Sequence, residues 1–86
     1  MARRYPEYED LPTHIREMLR AVTDGTDATA ERYAHVAHKH LKGRSVMFLM
    51  NAWLGQRVVE RFLLDLGHYL GVDEMDRFES SFGNRT

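Results

Sequence analysis

The chain should fold as an all-α protein: a small bundle of three main helices with a short fourth behind them. Apolar residues recur at three- and four-residue spacing along most of its length, the signature of amphipathic helices. Gly and Pro are scarce, six and two in 86 residues, so little of the chain is built for turns. No stretch alternates polar and apolar residues as a half-buried strand would.

Residues 1–9 form an arm before any helical pattern begins, with Tyr5 and Tyr8 either side of Pro6 in an acidic setting. Such an arm either frays at the domain surface or docks on a neighbouring chain. A single helical domain then occupies residues 10–82. Its first helix spans about 11–23, with Asp10 as N-cap and Pro12 tolerated in the first turn. Leu11, Ile15, Met18, Leu19 and Val22 make its apolar stripe, and Gly25 suits a left-handed C′ position. The second helix, about 27–42, starts at Thr26 or Asp27. Its inner face is Ala30, Tyr33, Ala34, Ala37 and Leu41, mostly small residues that let a neighbouring helix approach closely.

The third helix, about 45–70, is the stretch that organises the rest. Ser45 is its N-cap and Gly71 its C′ residue. Residues 46–54 are apolar on every side except at Asn51, whereas Val59, Phe62, Leu63, Leu66 and Leu70 lie on one side of the later half. About 26 residues at 1.5 Å each would reach about 39 Å, yet a compact chain of this size is only about 30 Å across. Either the helix breaks near Gly55, or one end projects and needs a partner. Close packing explains a glycine there as well as a break does. A last helix, about 73–81, has Asp73 as cap and places Val72, Met75, Phe78 and Phe82 on one side; residues 83–86 should fray.

Composition excludes several classes of function. Without cysteine there are no disulfides and no thiolate metal sites. The two arginines near the start precede no apolar run, so no signal peptide is expected, and residues 46–54 are too few to span a bilayer. A cytoplasmic, soluble protein is expected. There is no glycine-rich phosphate loop and no nucleophile in a recognisable setting. An enzyme, a cofactor or a small-molecule substrate is therefore not expected, and no motif is specific enough to name a family.

Three candidate surfaces remain. Glu31, His35 and His38 share one face of the expected second helix and offer a carboxylate and two imidazoles to a metal ion, although the stripe lies opposite the expected core and a solvated face explains it better. Lys39, Lys42 and Arg44 sit in a basic segment, 38–44, that suits phosphate contacts in a nucleic-acid-associated regulator. The apolar ring of the third helix points instead to protein association, as a homodimer or as an accessory subunit of a larger assembly. Val46, Leu49, Met50, Trp53 and Leu64 form the expected interface stripe, with Tyr5, Tyr8 and Phe78 as outlying contacts. A protein partner, self or other, is the preferred reading.

Overall fold

The structure is a computed structural model that describes residues 4–73 and 75–78, and it is an all-α bundle. Four α-helices carry it: α1 (Thr13–Ala21), α2 (Asp27–His35), α3 (Val46–Met50) and α4 (Gly55–Leu70). Single 3-10 turns at Tyr8–Asp10 and Lys39–Leu41 precede α1 and α3, and residues 75–78 form one further helical turn. α1 packs on α2 and α4, and α3 packs on α2 and α4, so each helix closes the core on one side. The long axis measures 37 Å and the radius of gyration is 12.2 Å.

The core gathers the stripes that periodicity marked: Ile15, Met18 and Leu19 from α1, Ala30 and Ala34 from α2, Val59 and Leu63 from α4. Met75 and Phe78 complete it from the last turn, which Arg77 ties to α1 through Glu17 at 3.4 Å. The expected continuation of that helix to residue 81, Phe82 and the end at 83–86 lie outside the described residues.

Several joints are built as expected. Thr26 caps α2 by accepting from the Thr29 amide, and Ser45 caps α3 by accepting from the Phe48 amide at 3.0 Å. Gly71 is left-handed, with φ of 74°, and the amide of Val72 reaches back to Gly67 O at 2.9 Å while that of Gly71 reaches His68 O at 3.1 Å. This is a Schellman ending, and only glycine adopts that backbone without a steric cost.

Three expectations are corrected. α1 begins at Thr13, not residue 11, because Tyr8–Asp10 form their own turn and Pro12 occupies the N-cap position with extended backbone. α2 stops at His35 rather than residue 42. Val36 turns extended, His38 bridges to Arg44, and Lys42 takes a left-handed φ of 58°, closing residues 38–44 into a loop. The His38 ring stacks against Tyr33 at 4.4 Å and Phe62 at 5.4 Å, packing that a continuing helix would forgo. The third helix is two helices. α3 ends at Met50, residues 51–54 turn, and Leu54 sits left-handed at φ 61° before α4 begins. The length conflict is resolved by this break. α3 folds onto α4 so closely that a Cβ at Gly55 would run into the Leu49 carbonyl.

Candidate functional site

The break between α3 and α4 is where the sequence's odd residues converge. Asn51, the one polar residue in the apolar stretch, ends α3 by donating through Nδ2 to Met47 O at 2.9 Å. The same side chain clamps the N-terminal arm: its Nδ2 donates to Tyr5 O at 3.0 Å and its Oδ1 accepts from Tyr5 N at 2.7 Å. One amide thus satisfies both backbone groups of a residue 46 positions away, as a strand neighbour would. The arm is further held by Tyr8, which is buried and donates its hydroxyl to Asp27 Oδ1 at 3.1 Å. Arg20 holds the same carboxylate at 2.8 Å. Residues 5–9 are therefore part of this chain's own bundle, a correction to the free or outward-docking arm expected of them.

On either side of Asn51 the chain turns large apolar groups outward. Trp53 is 90% exposed, and Leu54 and Phe48 are each 58% exposed. Leu54 combines that exposure with a left-handed backbone, which costs a residue with a Cβ about 1–2 kcal/mol. The neighbouring Gly55 has no Cβ to keep α3 away, so the corner is braced from behind. Arg44 lies over the Phe48 ring at 5.9 Å, placing a cation at its edge.

The expected interface stripe is split by this geometry. Val46, Leu49, Met50 and Leu64 are buried in the chain's own core, and so are Tyr8 and Phe78. Tyr5 is half-buried against that core. Of the whole set only Trp53 faces outward; α1, α2 and α4 cover what a continuous helix would have left bare. Phe48, Leu54 and Val58, which sequence reasoning did not single out for an interface, are exposed instead. Helical periodicity carried across residues 51–54 assigned them to the wrong faces.

The metal reading loses its geometry. With α2 ending at His35, His38 no longer follows Glu31 and His35 along one helical stripe. Its Nε2 lies 3.1 Å from Tyr33 O and its ring is half-buried between aromatic neighbours. Among the described residues no group of three or more His, Asp or Glu side chains is arranged to hold a metal ion. Lys39, Lys42 and Arg44, the basic candidates, are all exposed in the loop that follows.

Two polar clusters had no sequence signal, because their members are far apart in the chain. Glu60, the one buried charged residue among those described, accepts from Gln56 Nε2 at 3.2 Å, and its Oε2 lies 2.9 Å from His14 Nε2. This joins α1 to α4 through His14. The second cluster is Tyr8, Arg20 and Asp27. The Arg20 guanidinium and then the Tyr8 hydroxyl hold the Asp27 carboxyl below the usual carboxylate range, while burial and then the Asp27 contact push the Tyr8 phenol up. Both clusters join segments across the bundle.

The class these features define is a small all-α bundle with a braced, exposed apolar corner. No family model matches the chain, and no curated protein or solved structure matches it either. No helix among the described residues is long and apolar enough to cross a membrane.

Proposed function

We propose that this chain is a small, non-enzymatic protein-interaction module that docks through the α3–α4 corner, either on a second copy of itself or as an accessory subunit on a larger assembly. One observation carries the reading: Trp53 and Leu54 are adjacent, both exposed, and Leu54 is held in a left-handed conformation. Exposing a large aromatic and straining the backbone beside it are both unfavourable for the isolated chain. Among the described residues Trp53 has little cover, and the Leu54 backbone is held in place by the α3–α4 packing behind it rather than by burial of its own side chain. Burial against a partner would offset both, and tryptophan is the residue most often found as the anchor of such contacts.

Sedimentation velocity over a range of concentrations, on the wild type and on Trp53→Asp, tests the first form of the proposal. A dimer that dissociates on dilution and is lost in the variant supports self-association through the corner. A wild-type dimer unchanged by the substitution contradicts it. A monomer in both cases leaves the second form, which requires a different protein to be found at position 53.

A further inference from the structure

Behind the corner, α4 turns Val58, Phe62, Leu66 and Tyr69 toward the loop that bears His40 and Leu41, and an open groove of about 890 Å³ runs between them. Its floor is apolar. Its edges are not neutral in effect: Asp65 is taken by Arg61 at 3.3 Å, one helical turn away on α4. Arg57, also lining the groove, has no carboxylate within ion-pair distance among the described residues. Neither do Lys39 and Lys42, which flank His40 and Leu41 in the loop and are exposed. From residue 35 to residue 44 the sequence has no acidic side chain at all.

We infer that this groove receives an acidic amphipathic helix from a different protein, its apolar side chains on Val58, Phe62 and Leu66 and its carboxylates on Arg57 and the 39–42 loop. The inference rests on the reading of the chain as a protein-binding module, but not on the Trp53 corner. From Arg57 to Tyr69 the lining runs about 18 Å along α4, the rise of about three helical turns. That length accommodates the i, i+4, i+7 anchors by which a helix lies in a groove. Charge complementarity selects the acidic partner and steers its approach. A second copy fits less well, since two-fold association through this surface would bring one net-basic patch against another. A nucleic-acid strand would satisfy the cations but leave the aliphatic floor without a complementary surface.

The test is a selection, on the full chain, from a displayed library of helical peptides with apolar residues fixed at i, i+4 and i+7 and charges randomised elsewhere. Enriched peptides should be strongly acidic. Their affinity should fall about tenfold or more in Val58→Asp and in Arg57→Glu, and should weaken with added salt. Both positions are exposed, so the variants should keep the wild-type helical content, which circular dichroism checks for each. Enrichment without acidic excess overturns the inference, as does binding that survives both substitutions or failure to enrich any peptide. So does groove-dependent binding of a mixed-sequence labelled oligonucleotide at equal or higher affinity. Peptides lost only in Trp53→Asp would overturn the groove while sustaining the corner; groove-dependent peptides indifferent to Trp53→Asp would sustain the groove alone.

Discussion

Replacing Gly55 with alanine should destabilise this protein, although the same change in an ordinary helix stabilises it. A glycine-to-alanine change in a helix is worth about 1 kcal/mol in favour of the fold. Were residues 45–70 one continuous helix with position 55 on an open face, that gain would be the result. In the folded chain Gly55 is buried at the start of α4, and a Cβ there collides with the backbone carbonyl of Leu49. The obstacle is main chain rather than the tip of a side chain, so α3 must move bodily. α3 holds Val46, Met47, Leu49 and Met50 in the core, and its displacement loosens all four. Overpacking of this kind costs about 1–3 kcal/mol, and the rigid obstacle places the loss at the upper end. Set against the helical gain, the net loss is about 1–2 kcal/mol. For a domain of this size each kcal/mol moves the melting temperature by about 4–8 °C, so Gly55→Ala should melt about 5–15 °C below wild type. Gly67→Ala is the comparison: there the added Cβ meets the side chain of buried Met75 rather than main chain, so the short last turn can give where α3 cannot, and the loss should be smaller. Thermal denaturation followed by circular dichroism measures both. A Gly55→Ala melting temperature equal to or above wild type would refute the close approach of α3 to α4, and with it the break.

Other substitutions separate the roles of neighbouring residues. Leu54→Gly should leave stability within about 1 kcal/mol, because relief of the left-handed strain and the added chain entropy of glycine oppose each other; a loss of several kcal/mol would mean that Leu54 packs in the core. Asn51→Ala removes three hydrogen bonds at about 1 kcal/mol each and should free the arm. Hydrogen exchange at the Tyr5 amide should then accelerate, and unchanged protection would show that the clamp is not what holds residue 5. Asp27 titrates below its ordinary range when folded, so it contributes stability above the unfolded value of about 3.9 and loses that contribution as the pH falls through the folded value. Wild type should therefore be more stable than Asp27→Asn near pH 7, with the difference closing as the pH falls below the unfolded carboxylate value. A pH-independent difference would contradict the Arg20 and Tyr8 contacts.

Much of the fold was legible in the chain. The buried stripes of α1 and α4, the caps Thr26 and Ser45 and the stop at Gly71 all rest on local chemistry, which sequence displays directly. The failures were at interruptions. Tyr33, Ala37 and Leu41 keep helical spacing even though the helix ends at His35; Leu41 is buried from the turn that follows, and Ala37 is exposed. At residues 51–54 the length conflict showed that something must give. It did not show which residues would turn outward, because that depends on Asn51 finding Tyr5 and on Gly55 meeting Leu49, contacts between distant or folded-back segments. The interface candidates changed for the same reason. Trp53 is exposed as the interface reading expected, but the other exposed apolar residues around the break are Phe48 and Leu54, whereas Val46, Leu49, Met50 and Leu64 are buried. The basic loop was legible as charge, and its place beside an apolar groove was not.

The proposal that another protein surface covers the α3–α4 corner has a direct test. The most direct measurement places a photo-crosslinking amino acid at position 53 in the source cell and, as a control, at the exposed position 31 on α2. The account predicts a discrete adduct from position 53, with a second copy of the chain or with one defined protein, and no such adduct from position 31. Equal, diffuse labelling from the two positions would contradict it.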